Sequence, residues 1–392
     1  MTGLRLVSDV ERRSRLARRH ALTASSRVTS PEQVTRAMTV LHSTEPATVY
    51  LSCWARTEQM TVDDVDRALY VDRSLVKQLA MRRTLFVFPK DLLPAVWGSA
   101  SARVAGTEGA RMAKDVVAAG VSQDGVAWLD RARHLVLDAL ADEPDGLGAV
   151  QIRERVPELA VRVGGGSVWG VSRVLTHLGA TADVVRAVNT GHWRTSRPRW
   201  TLMRHWLDEA PEPWPAADGY RELVRRWLET FGPGTENDIV WWFGSTKTIV
   251  RAALAELGAV AVDLEGGALG WVLPDDVDDE PAVEPWVALL PVLDPTVMGW
   301  KERSFYLGEH AAQLFDTNGN AGTTVWVDGR VVGAWVQDES GVVQVRLLEP
   351  ATARVQTALD AEAARLTQWL DGTVVKTVYP SPLMRAPSSL TP

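Results

Sequence analysis

Apolar and polar positions alternate with helical spacing through the first part of the chain. Residues 8 to 42 read as two helices. Val10, Leu16 and Leu22 mark an apolar stripe in the first, and Ser30-Pro31-Glu32-Gln33 opens the second. Pro31 suits the first helical position, where no N–H is needed, and Ser30 is placed to cap it. A third helix is expected from about Pro46 to Thr57. Thr61-Val62-Asp63-Asp64 carries a capping-box pattern for a fourth. Ser74 to Met81 reads as a fifth, ending in Arg82-Arg83-Thr84 before the short strand Leu85-Phe86-Val87-Phe88-Pro89. Small helices followed by a strand are the pattern of a winged-helix unit.

The pattern returns twice. Ala127 to Leu140 is helical, Gly148 to Arg153 starts a short helix, and Val168 to Leu178 has the place of a recognition helix. Ala182 to Val188 and Trp200 to Met203 then form two strand-like segments with an arginine-rich tip, as a wing requires. The third copy takes its helices from Tyr220 to Phe231, Glu236 to Phe243 and Thr246 to Leu257. Its wing is the hairpin of Val260 to Leu264 against Leu269 to Leu273, turning at Gly266-Gly267.

Pro211 to Pro215 and the acidic stretch Pro274 to Pro285 read as linkers. Strand patterns follow at 287–293, 323–327, 331–336 and 342–347, with Asp328-Gly329 as a hairpin turn and a closing helix from Ala351 to Leu370. The expectation is an α+β chain of four domains. Winged-helix units occupy 1–120, 121–210 and 216–275, and a β-barrel-like domain with its helix occupies 283–392.

Composition fits a folded globular protein, with 46% hydrophobic and 23% charged residues. The single Cys53 excludes an internal disulfide framework, and the charged N-terminal stretch is neither signal peptide nor membrane span. A cytoplasmic, membrane-free protein is expected. The net charge of −7 runs against nucleic-acid binding, which needs cations against phosphate. The charges are segregated, however: arginines cluster at 12, 13, 15, 18 and 19, at 82 and 83, and at 194, 197, 199 and 204, and acids gather at 275–280. A basic channel on an acidic protein is compatible with that distribution.

The chain has no phosphate-binding P-loop, since Gly164-Gly165-Gly166 lacks the Lys-Ser/Thr that would follow. It has no Gly-x-Ser-x-Gly elbow and no paired-Cys or His spacing for a metal, so neither metal nor cofactor is expected. The segment Leu41-His42-Ser43-Thr44-Glu45-Pro46 places an imidazole and a hydroxyl two residues apart in a connection between helices. In an extended segment these side chains point the same way and can hold one water between them. The alternative is that Thr44 caps the next helix and His42 fills a polar gap.

In order along the chain, several motifs together resemble the AlkZ and YcaQ-like DNA glycosylases, a family of winged-helix DNA-binding proteins. They are Leu41 to Pro46 with Tyr50-Leu51-Ser52-Cys53-Trp54-Ala55-Arg56, then Arg82-Arg83-Thr84-Leu85, Leu290-Pro291-Val292-Leu293-Asp294, Gly299-Trp300-Lys301-Glu302-Arg303 and Val327 to Trp335. The resemblance implies a C-shaped monomer of three winged-helix units closed by a β-barrel, holding duplex DNA with alkylated bases. It implies hydrolysis of the N-glycosidic bond of N7-alkylated purines, including bulky adducts and crosslinks of genotoxic natural products, in general repair or in self-resistance. The family's catalytic Gln, apolar, Gln/Asp motif falls on His42, Ser43 and Thr44, and this chain departs from it at all three positions.

A neutral His42 would accept a proton from the attacking water and Thr44 would orient it, with activity falling below about pH 6 as the imidazole charges. Arg82, Arg83, Arg194, Arg197, Arg199, Lys301, Arg303 and Arg330 are the expected DNA contacts. The competing reading is a winged-helix protein that binds DNA without chemistry, such as a transcriptional regulator, which would be expected to act as a dimer on paired half-sites.

Overall fold

The computed structural model describes residues 3–386. The chain forms two compact units, one continuous, Asp66–Tyr220, and one assembled from the residues before and after it.

In the discontinuous unit the helices Asp9–Arg19, Pro31–Ala37 and Pro46–Ala55 form where the pattern places them. Ser8 and Ser30 accept hydrogen bonds from the backbone N–H of Glu11 and Gln33, the caps that satisfy two otherwise orphaned donors. Pro46–Ala55 has no polar face: every residue from Ala47 to Ala55 is buried. Beyond it, Glu236–Phe243 starts with a capping box in which Thr235 and Asp238 bond reciprocally, and Lys247–Glu256 starts on Thr246. The hairpin Val260–Leu264 with Leu269–Val272 gains Gly234–Thr235 on one side. On the other it gains Leu6–Val7, running parallel in the register Leu6↔Asp263 and Val7↔Leu264. Val7, Val262, Leu264 and Val272 pack into a small core there.

The last sheet is a meander of Val287–Leu290, Thr324–Val327, Arg330–Gln337 and Val343–Leu347, in chain order and antiparallel throughout. Asp328 and Gly329 both have positive φ, 47° and 82°, as the expected two-residue turn demands. The expected barrel is not closed: among the described residues the first and last strands do not pair. Four strands are too few to curl into a filled barrel, and the helix Ala353–Leu370 packs against both outer strands instead.

The continuous unit holds Gly125–Leu140, Ala149–Arg155 and Gly170–Ala180, followed by the antiparallel pair Val184–Asn189 and Pro198–Leu202. Val136, Leu140, Ile152, Val174, Leu178 and Leu202 meet in its core. The stretch expected as a fifth helix, 74–81, is a strand, Leu75–Ala80, paired with Thr84–Pro89. Leu75-Val76 and Leu79-Ala80 satisfy a helical period, but they also supply a strand buried on most positions, and Arg82 and Arg83 turn the chain back with φ of 54° and 60°. The seventeen-residue helix Ala102–Ala118 was not expected; Gly106 and Gly109 interrupt its apolar pattern.

Candidate active site

The Leu41-to-Pro46 segment lies in the discontinuous unit. Thr39 adopts φ 63° after the Pro31–Ala37 helix, Leu41–His42 is extended, and Glu45 stands at the N-cap of Pro46–Ala55 with Pro46 at the first helical position. His42 is buried and Thr44 is exposed, so the two side chains sit at different depths. The backbone N–H of Thr44 donates to His42 Nδ1 at 3.4 Å. That bond makes Nδ1 an acceptor and places the proton of a neutral ring on Nε2. Ser43 is 4% exposed and its Oγ has no partner.

Glu45 does not cap its own helix. Its Oε2 accepts from Thr377 Oγ1 at 3.1 Å and from the backbone N–H of Val378 at 3.5 Å. Burial pushes this carboxyl above its ordinary range, and those two donors pull it partly back.

The helix that follows is fixed by a buried polar network. Asp294 and Arg56, both fully buried, pair bidentately: Nη1 to Oδ2 at 3.0 Å and Nη2 to Oδ1 at 2.7 Å. Ser52 Oγ and the backbone N–H of Thr296 also donate to the carboxylate. Burial alone would raise the Asp294 carboxyl; Arg56, Ser52 and Thr296 instead hold it below its usual range. Arg56 Nη2 further donates to Thr296 Oγ1 at 2.8 Å, and that hydroxyl meets His20 Nδ1 at 2.9 Å. The second nitrogen, His20 Nε2, faces the Thr230 carbonyl at 3.2 Å. A carbonyl can only accept, so Nε2 carries the proton and Nδ1 accepts from Thr296. Burial first, and then the Arg56 charge, push His20 down to about 3, so its ring is neutral. Thr230 Oγ1 then meets Thr39 Oγ1 at 2.9 Å. The network thus ties the helix after the His42 segment to Thr39 before it. The Arg56 and Asp294 of two separate sequence motifs are partners in one scaffold.

The other expected residues divide by what they touch. Arg197 is exposed near the tip of the Val184–Asn189 hairpin, with Arg194 half-buried beside it. Arg199 donates to the carbonyls of Asp145 and Gly146. Arg83 pairs with Glu108 at 2.8 Å, next to half-buried Arg82. Lys301 is exposed. Arg303 donates to the Trp300 carbonyl and lies over the rings of Trp241 and Phe315. Arg330 is exposed and pairs with Glu349, while a Cβ at its neighbour Gly329 would run into the Arg13 side chain.

The arginines of Asp9–Arg19 do not line a basic channel. Arg15 and Arg19 bond Asp276, Arg18 bonds Glu280, Arg13 donates to the Phe305 carbonyl and buried Arg12 lies over the Phe305 ring. The acidic linker and the basic helix neutralise each other.

Sequence reasoning missed Glu45 as a buried carboxylate and the orphan hydroxyl of Ser43. The one signal available was a charged residue directly before a mainly apolar helix. Cys53 is buried, and burial raises its thiol to about 12, which makes it an inert core residue. Among the described residues no group of three or more His, Cys, Asp or Glu is placed to hold a metal, and no helix is long and apolar enough to cross a membrane.

A family model described as "DNA glycosylase AlkZ-like" matches residues 35–369. Among solved structures, Streptomyces sahachiroi DNA glycosylase AlkZ is similar, at 20% identity with a TM-score of 0.74, covering 94% of this chain and 98% of that one. Comparison with curated protein sequences gives no match.

Proposed function

The chain belongs to the AlkZ-like DNA glycosylase family, and on that premise we propose that it is a monofunctional glycosylase which releases N7-alkylated purines from duplex DNA, with His42 and Thr44 serving the attacking water. The observation that carries this reading is that the family match spans the His42-to-Thr44 segment, which is braced on both sides by the buried Arg56–Asp294 network.

An N7-alkylated purine is cationic and leaves readily, so the protein has two tasks: to place water at the anomeric carbon and to favour positive charge on the sugar. His42 Nδ1 is the proton acceptor. Its bond from the Thr44 amide is long enough, at 3.4 Å, to yield to a water O–H. Thr44, exposed at the same turn, orients the water through Oγ1. The expected contribution of such a base is roughly 10² to 10⁴ in rate.

Arg82, Arg83, Arg194, Arg197, Lys301 and Arg330 hold the phosphate backbone without reading sequence, with Arg199 and Arg303 shaping the surfaces beside them. The helix-and-hairpin stretches 121–210 and 216–275 act as winged-helix modules in a monomer, with 1–120 and 283–392 as the remaining domains. Bulky or crosslinked adducts of genotoxic natural products are the proposed substrates beyond simple methylation, in a cytoplasmic self-resistance role.

Single-turnover release of 7-methylguanine from alkylated duplex DNA tests this. Wild type is expected to release the base, and His42→Ala to lose at least about 10²-fold with little change in melting temperature; Thr44→Ala should lose less. Full activity in both variants would put the chemistry elsewhere.

A further inference from the structure

Next to the candidate active site, with Glu45 in its wall, lies a cavity of about 380 Å3 within the discontinuous unit. Glu45, Thr48 and Leu51 form one wall, and the rest comes from the Val287-to-Leu347 sheet and the following strap, including Trp335, Val375 and Met384. Neither His42 nor Thr44 lines it. Its volume falls within the range of small-molecule pockets, about 300 to 1,000 Å3, and its walls are mainly apolar.

Apart from the exposed Lys376 ammonium, the polar groups in those walls are already engaged, with one exception. Thr48 Oγ1 donates to the Val292 carbonyl. Thr323 Oγ1 donates to the Trp335 carbonyl. Gln337 donates to the carbonyls of Gly341 and Thr373 and accepts from Val375 N. Thr377 is held by Glu45. The exception is Glu45 Oε1, which accepts no hydrogen bond from any described residue although the side chain is only 8% exposed. Oε1 retains contact with open space, and the strongest partner for a carboxylate oxygen in a mainly apolar wall is a charge-assisted N–H. Lys376 is exposed and does not supply it.

We propose that this cavity binds a small organic amine, with an aromatic or aliphatic body against Leu51, Val292, Trp335 and Val375 and its ammonium donating to Glu45 Oε1. Because Glu45 is bonded directly to Thr44, an occupant bears on the active-site turn through the chain itself. The site stands independently of which base the protein releases.

Calorimetric titration of the full chain with tryptamine, and with tryptophol as its uncharged counterpart, tests the site. Tryptamine is expected to bind with a Kd of about 0.1 to 1 mM and tryptophol about tenfold more weakly. Glu45→Gln should erase that preference. Val375→Trp, or Val336→Trp where the first variant misfolds by circular dichroism, should abolish binding of both by filling the cavity. Absence of saturable tryptamine binding at 1 mM, or affinity unchanged in Glu45→Gln and in a folded cavity-filling variant, would overturn the proposal. Because base release is not the readout, failure here leaves the glycosylase reading standing, and the reverse holds too.

Discussion

The two ends of the Pro46–Ala55 helix contrast sharply. At its C-terminal end, Ser52 and Arg56 sit in a network where Asp294, Thr296 and His20 each find a complementary partner. At its N-terminal end Ser43 Oγ is buried without a partner, Glu45 has one engaged oxygen, and Thr44 faces solvent. Both ends are polar and largely buried; of the C-terminal groups only Arg56 Nε lacks a partner, whereas at the N-terminal end the Ser43 hydroxyl has none and Glu45 Oε1 accepts nothing. A matched network rigidifies a core, whereas unmatched polar atoms are where a ligand, a water or a reacting group gains most. The difference separates scaffold from site along a single helix.

The largest effect expected from breaking this contrast is at the scaffold end. Asp294→Ala leaves Arg56 as an uncompensated buried charge and should cost about 3 to 5 kcal/mol in denaturant unfolding. The double variant Arg56→Met, Asp294→Leu should recover most of that loss, because it removes both charges together. A double variant as unstable as Asp294→Ala would mean that the network is not the source of the cost.

A second test uses acid. The His20 ring is held down to about 3 in the folded state against about 6.5 in an unfolded chain. A lowered histidine binds fewer protons when folded, so its stabilising contribution is complete above about pH 6.5 and declines as pH falls toward 3. The stability difference between wild type and His20→Asn should therefore shift by about 2 kcal/mol against wild type between pH 7.5 and 5. A difference that stays constant with pH would mean that His20 titrates normally.

The smallest effect belongs to the site end. Ser43→Ala removes an orphan hydroxyl and should be neutral or raise stability by about 1 kcal/mol, read as a melting temperature about a degree higher. A loss above that size would show that Ser43 Oγ is engaged.

Much of the local structure was legible because its causes are local. Ser8, Ser30 and Thr246 cap where their side chains reach the next turn's amides, and Asp328-Gly329 turns where two positive φ values are needed. The strand Leu75–Ala80 was misread because its four apolar residues fit either period, and the deciding partner, Thr84–Pro89, lies beyond a turn of two left-handed arginines. The charge clusters were visible, but their pairing was not: Arg15 and Arg19 find Asp276 some 260 residues away, a distance no window over the sequence spans. Likewise the position of His42 and Thr44 in a connection between helices could be read, whereas their different depths could not.

The parallel addition of Leu6–Val7 to Val260–Leu264 also sets a timetable. A ribosome adding about 5 to 20 residues per second releases Leu6 and Val7 more than ten seconds before Asp263 exists. All of Asp66–Tyr220, a compact unit of its own, is synthesised within that interval. The nascent chain therefore carries its earliest strand without its partner until Val260–Leu264 has been made, and the unit bearing His42 cannot complete its sheet before then.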